Sequence, residues 1–336
     1  MADGRKVTEA HQLKYQKNAI DLLGLREDNP LMKYGQKADG GVGGDDLRVT
    51  VFYQMLPEID SVQEVDDADF AASGAQWNPT SGTFEDLAGI NGNELVRGIH
   101  ATPHSLFSRV VRGRKEYAKT MLNIDSAIMS YQKSDMYTKL ERVFLSKLKA
   151  LADGTLSLIT STTTLTNVGI PTGNKYGDGA VKFEEAGNLL ALRQMISNAR
   201  IIAGSGREIF FLGGIYFNTL IEVAERFVNT NWADQATKKG GLKNVQEILG
   251  GVSMLLNIPR VILRDFDTTF PAATNVRKFF LITSMCYGFD KSEPRTELYE
   301  EKRNQTVVFD MFMDYVLEIT DPNGFYQFTY LEGLPA

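Results

Sequence analysis

The sequence predicts an α+β fold, on three observations. A helical stripe runs unbroken through residues 125–152, and long alternating runs fill residues 297–333. Between them and the N-terminus, residues 58–94 form an acidic stretch rich in Gly, Ser, Asn and Asp, with too little apolar periodicity to build a core of its own. The 336 residues are 43% hydrophobic and 23% charged, enough for one large domain or two modest ones. The net charge of −6 argues against sequence-specific DNA binding, which favours basic chains. A single cysteine, Cys286, excludes an intrachain disulfide framework, and its apolar surroundings in LITSMCYGF predict a buried, inert thiol. No run approaches the eighteen or so apolar residues of a membrane span, and MADGRKVTEAHQLKYQ has no apolar signal core. A soluble protein made in a reducing cytoplasm is expected, so Asn304-Gln305-Thr306 is a chance sequon.

Taken in order, residues 7–23 place Leu13, Ile20 and Leu23 on one helical face, and Asn29-Pro30 ends that segment. The glycine-rich stretch GQKADGGVGGDDL follows, and then DLRVTVFYQML, where Leu47, Val49, Val51 and Tyr53 alternate as in a strand. After the acidic excursion, ELVRGIHATPHSLFSRVVRGRKEYAKTM returns as strand and then a basic segment.

The 125–152 helix carries Met136, Leu140, Val143, Phe144, Leu148 and Leu151 on its apolar stripe. Asp135, Lys139, Arg142, Ser146 and Lys149 lie opposite. Asp125 is a suitable N-cap and Asp153-Gly154 a suitable stop. Lys147 falls in the apolar half, where it must snorkel or meet a carboxylate.

A polar loop is expected over TSTTTLTNVGIPTGNKYGDG, then a second helix over FEEAGNLLALRQMISNARIIA. REIFFLGG reads as a strand, IYFNTLIEVAERFVN as a helix, GGVSMLLNIPRVILRDFD as a turn into a buried strand, and RKFFLITSMCYGFD as a further strand. Residues 297–333 read as two or three long antiparallel strands.

The chemistry-bearing patterns fail their own tests. The glycine stretch meets neither GxxxxGK[ST] nor GxGxxG. It precedes a strand instead of opening a helix, and Asp45 and Asp46 would repel an anion, so it reads as a hinge. Ser130 and Lys133 match SxxK without that family's other elements. His100 and His104 have zinc-like spacing but flank Pro103 and lack a ligand set. Asp265 and Asp267 suit a turn better than a metal. No nucleophile, base and orienting group come together, so no catalytic residue, cofactor or metal is expected.

The order of these elements resembles the major capsid protein of tailed bacteriophages, the Hong Kong 97 fold. Ala152-Asp153-Gly154-Thr155 resembles that family's stop to its long spine helix. Leu256-Asn257-Ile258-Pro259-Arg260-Val261 resembles its leucine–glycine–x–proline–valine strand, with Asn in place of Gly, and Pro322-Asn323-Gly324-Phe325 resembles a terminal strand start. The resemblance covers nearly the whole chain. It implies an N-terminal arm at 1–45, an extended β-hairpin loop at 46–103, a peripheral domain at 104–203 with 295–336, and an axial domain at 204–294.

It also implies self-assembly into the hexamers and pentamers of an icosahedral shell, in the virion and built in the host bacterial cytoplasm. The implied partners are a separate scaffolding protein, a portal, a decoration protein in some members, and packaged double-stranded DNA held without sequence specificity; no membrane is involved. Gly40, Gly41, Gly43 and Gly44 would be the hinge between arm and loop. The acidic tract Glu58, Asp60, Glu64, Asp66, Asp67 and Asp69 would meet the basic residues Arg109, Arg112, Arg114 and Lys115 of a neighbour. The rival readings are an encapsulin, which shares the fold but encloses cargo enzymes, and a soluble α/β enzyme.

Overall fold

A computed structural model describes residues 29–38, 50–55, 77–78, 83–84, 96–113, 124–160, 163–183, 185–204, 206–218, 254–255, 258–273, 275–301 and 306–332. Its axis is helix α1 (Ile124–Asp153), 30 residues long and therefore about 45 Å from end to end. Met136, Leu140, Phe144, Leu148 and Leu151 are buried as the stripe predicts, and Asp135, Lys139, Arg142, Ser146 and Lys149 are exposed. The helix starts one residue before Asp125, so that residue lies inside it. It stops where expected. Gly154 takes φ +71°, a left-handed conformation costly for any side chain, and turns the chain so that Gly154 N–H reaches the Leu151 carbonyl (3.2 Å) and Thr155 N–H the Ala150 carbonyl (2.8 Å).

The strands are β1 (Thr50–Met55), β2 (Trp77–Asn78), β3 (Thr83–Phe84), β4 (Val96–Ala101), β5 (His104–Gly113), β6 (Leu156–Thr160), β7 (Thr164–Val168), β8 (Lys175–Tyr176), β9 (Ile209–Gly213), β10 (Met254–Leu255), β11 (Ile258–Ile262), β12 (Val276–Thr283), β13 (Tyr287–Lys291), β14 (Arg295–Glu301), β15 (Thr306–Ile319) and β16 (Phe325–Leu331). Two further helices are α2 (Ala186–Ala203) and the single turn α3 (Phe266–Thr269).

The largest sheet runs β10-β11-β9-β12-β16-β8. Both of its faces are covered. Phe210, Leu212, Phe280 and Ile282 face the α1 core, while Phe211, Phe279 and Leu281 face the core under α2. Burial on both sides is why IFFLG and FFLIT are unbroken apolar runs. A second sheet is centred on β15, which pairs antiparallel with β5, β13 and β14 and lays Met311, Met313, Tyr315 and Leu317 against α1. The third runs β1-β4-β6-β7, and β2 pairs with β3 in a two-stranded ladder. β16, expected in the peripheral domain, pairs with β12 of the expected axial domain on one edge and with β8 on the other, so the expected boundary at 204 and 294 runs through a sheet.

Four expectations need correction. The polar loop after α1 is instead the β6–β7 hairpin followed by β8. β-branched Thr suits a strand, and Thr164 and Thr166 lie in β7. RKFFLITSMCYGFD is two strands in different sheets, because Met285 at φ +66° breaks the run between β12 and β13. In β1 Phe52 is buried, on the face opposite Val51 and Tyr53. Its ring fills the space that the missing side chain of Gly288 leaves, so any larger residue at 288 would collide with it.

The fourth correction concerns the arm. Residues 29–38 do not detach from their own core. Asn29 Oδ1 caps the 3-10 turn Pro30–Lys33, Leu31 is fully buried, and Tyr34 stacks on Phe210 with ring centroids 4.2 Å apart. Tyr287 donates its hydroxyl to the Leu31 carbonyl at 2.5 Å. Leu31 and Tyr34, two large apolar side chains at i and i+3, are the signal for this packing in the sequence.

Candidate functional site

Five of the side chains first weighed for chemistry make contacts within the fold: Asp265, Asp267, Lys133, His104 and Cys286. Asp265 accepts Arg142 Nε from α1 at 2.6 Å. Asp267 Oδ2 accepts the backbone N–H groups of Ile215 (2.7 Å) and Tyr216 (3.4 Å), capping the helical turn 215–218. Lys133 lies over the Tyr137 ring on α1, and His104 tilts against Tyr315. Cys286 is fully buried, and desolvation pushes its thiol far above the ordinary range, so it has no thiolate to offer. No group of three or more His, Cys, Asp or Glu that could hold a metal occurs among the described residues.

What the structure does assemble is a joint between the arm, the hairpin base and the core. Gln36 is its centre. Its backbone N–H donates to the Tyr287 carbonyl (2.8 Å), and its carbonyl accepts from Phe289 N–H (2.9 Å). Its side chain reaches the other way. Nε2 donates to the carbonyls of Tyr53 (2.7 Å) and Met285 (2.5 Å), while Oε1 accepts from Tyr53 N–H (3.1 Å). One amide thus takes the place of a neighbouring strand at the open edge of β1, satisfying both backbone groups of Tyr53. β1 and β4 pair in full register from Thr50–Ala101 to Met55–Val96, and so form the root of the segment 56–95.

A second assembled surface is the face of the β14–β15–β5 ladder turned away from α1. Directly opposed residues share a face. Phe107 and Phe312 are both exposed, their rings tilted against each other with centroids 4.9 Å apart; Val111 stands opposite Val308, and Tyr299 stands opposite Val308 from the other side. Between these apolar rows Arg109 grips Asp310 with both arms of its fork, Nε–Oδ1 at 2.7 Å and Nη2–Oδ2 at 2.6 Å. Tyr299 adds its hydroxyl to Oδ2 at 3.2 Å. The Arg109 guanidinium, with Tyr299, holds the Asp310 carboxyl below the usual carboxylate range. Ser105 and Arg295 both turn to Asp314 on the same face.

Arg109 spends its guanidinium on Asp310 of its own chain. Arg112, half-buried in β5, pairs in register with Val307. Arg114, Lys115, the tract Glu58, Asp60, Glu64, Asp66, Asp67 and Asp69, and the hinge glycines Gly40, Gly41, Gly43 and Gly44 lie outside the described residues. Lys147 meets its carboxylate: Nζ sits 2.9 and 2.8 Å from the two oxygens of Glu318 on β15. Sequence reasoning missed Gln132, whose Nε2 joins β5 to β15 through the carbonyls of Ser108 and Phe309, both at 3.1 Å, and it missed Gln36 altogether.

No protein-family model and no curated protein matches the sequence. Solved structures do match. The capsid of cyanophage P-SCSP1u is 12% identical, with 99% of this chain and 93% of that one covered, at a TM-score of 0.57. The capsid of Ralstonia phage GP4 is 10% identical, covering 93% of each chain, also at 0.57. The mature capsid of bacteriophage PhiM1 is 12% identical, covering 100% and 92%, at 0.52. The mixed helix-and-sheet fold of this chain is the fold of those phage capsid chains, matched over nearly their full length.

Proposed function

We propose that the chain is the major capsid protein of a tailed phage, a structural protein that assembles into the icosahedral head. The observation that carries this is the whole-length match to phage capsid chains, 92–93% of each covered together with 93–100% of this one. The Gln36 joint and the paired root of the 56–95 excursion suit such a subunit, because they fix the base of an acidic, coreless segment that a neighbouring subunit would cover.

On this reading residues 1–28 reach a neighbour, residues 29–38 anchor that reach, and Gly40, Gly41, Gly43 and Gly44 give the joint its freedom. The acidic tract 58–69 pairs with Arg112, Arg114 and Lys115 of an adjacent copy. Hexamers and pentamers form with a separate scaffolding protein around a portal, in the host cytoplasm, and the virion encloses double-stranded DNA.

Electron microscopy of the purified protein, expressed alone and with its scaffolding partner, tests this. Closed icosahedral shells are expected. Discrete small oligomers under both conditions would sink the reading, and shells filled with a co-purifying enzyme instead of nucleic acid would redirect it to a cargo container.

A further inference from the structure

We propose that the Gln36 side chain is a guard on the open edge of β1, and that without it β1 pairs antiparallel with β1 of a second copy of this chain. The guard belongs to the single subunit, whatever assembly that subunit enters. Two observations carry it: the state of the other sheet edges, and the geometry of one amide.

An outer strand offers a row of unpaired N–H and C=O groups to any passing chain, and proteins blunt such edges with charge, brevity or irregular backbone. Among the described residues the other edges are blunted in these ways. β14 carries Arg295, Glu297, Glu300 and Glu301, and β5 carries Arg109 and Arg112. β2, β3, β8 and β10 are two residues long. β7 is interrupted by Asn167 at φ +58°. The outer side of β13 is bridged by the arm, Gln36 to Gly288.

β1 is the outer strand of its sheet and has none of these protections. Its six residues, TVFYQM, hold no charge, no proline and no glycine, and Thr, Val, Phe and Tyr favour extended chain. That composition on an open edge marks a segment that pairs with copies of itself.

Gln36 stands in the way. It bonds both backbone groups of Tyr53, through Nε2 to the carbonyl at 2.7 Å and through Oε1 from the N–H at 3.1 Å. Tyr53 therefore turns its backbone groups away from β4, and by the alternation of an antiparallel ladder Val51 and Met55 do the same. The amide sits at the middle of these three residues, so a strand arriving at this edge must expel it. Its position is set from behind, where the Gln36 backbone bonds Tyr287 and Phe289. The guard is also removable. Its bonds to Tyr53 are exposed, and an incoming strand answers the backbone of all three outward residues where the amide answers one.

Symmetry makes a second copy the occupant. Antiparallel pairing centred on Tyr53 sets each Tyr53 opposite its twin, an isologous contact in which each copy satisfies the edge of the other. Neither edge brings a charge against the other, and the Tyr53 side chain is already exposed.

Sedimentation of the full-length protein, at a concentration where the parent runs as a single subunit, tests this. Gln36→Ala should raise the self-association constant about tenfold, the weight of one lost competing hydrogen bond. Adding Tyr53→Lys should return association to the parent level, because lysine on an edge strand opposes pairing. Tyr53→Cys in the Gln36→Ala background should form an interchain disulfide, since directly opposed Cα atoms lie about 5.5 Å apart, within disulfide reach. Cys286 is buried and does not compete. With Gln36 in place Tyr53→Cys should give no such link on a non-reducing gel. Circular dichroism checks folding, and if Gln36→Ala does not fold, Gln36→Asn, one methylene short of Tyr53, takes its place.

Equal association of parent and Gln36→Ala overturns the proposal. So does association that survives Tyr53→Lys, which would mark a loosened fold, and so does association without the disulfide, which would assign the contact to another edge. A subunit that forms no closed shells would still give the three expected results, so failure of the shell reading and failure of this one are told apart.

Discussion

The two long helices treat their cations differently. On α1, Arg142 is held by Asp265 and Lys147 by Glu318, so the charges tie the helix to α3 and to β15. On α2, Arg193 and Arg200 face outward with no carboxylate beside them among the described residues. Lys147, part-buried on α1, must be matched or pay the desolvation of a lone charge, whereas Lys139 and Lys149 on the exposed side of the same helix need no partner. α2 covers one face of one sheet and leaves half its circumference in water, where an arginine costs nothing unpaired. A charge answered within the chain belongs to the fold, and a charge left unanswered at the surface is available to a partner.

The comparison can be broken hardest at the buried stripe of α1. Leu148→Ala empties a fully buried site and should cost about 2–5 kcal/mol in urea unfolding. A cost below half a kcal/mol would mean that α1 is not the central core element.

Next in size is the Arg109–Asp310 pair. Arg109→Gln strands a carboxylate that is only 4% exposed and should cost about 1–3 kcal/mol at pH 7. The pH dependence follows from the direction of the shift. Asp310 is depressed in the folded state, so its contribution is fully present above the ordinary aspartate value of about 4 and is lost as pH falls through the lower folded value. Parent and Arg109→Gln should therefore converge in stability below about pH 4. A gap of constant size down to pH 2 (about two units below that value) would assign the effect to packing of the arginine stem instead.

The two α1 ion pairs grade the comparison. Lys147→Met leaves Glu318, 13% exposed, without its cation and should cost about 1–3 kcal/mol. Arg142→Gln loosens a pair whose arginine is 57% exposed and should cost about 0–1 kcal/mol. The reverse order in thermal unfolding would show that the link to α3 bears more of the fold than the link to β15. Smallest of all, R193Q/R200Q on α2 should change stability by no more than about 0.5 kcal/mol. A larger loss would mean that those arginines have structural work, and the contrast between the helices would fall.

The sequence by itself determined the elements whose signal is local and periodic. The stripe from Met136 to Leu151 set the buried side of α1, and Gly154 set its end. Lys147 in the apolar half had either to snorkel or to meet a carboxylate, and Glu318 supplies the carboxylate. Alternation announced β14, β15 and β16, and the apolar run marked Cys286 as buried. Tertiary structure alone decided the rest, because in each case the partner is distant in the chain. Gln36 meets Tyr53 and Met285, 17 and 249 residues away, and nothing in its neighbours marks it as a strand substitute. Phe52 is buried, and not Tyr53, because Gly288 lies opposite it; alternation finds a strand but does not say which face is covered. The run from β12 to β13 is divided by the demand of two sheets for their own partners, a constraint that exists only once β9 and β15 are in place. Arg109 finds the Asp310 carboxylate 201 residues further on, in a register that only the folded β5–β15 ladder supplies.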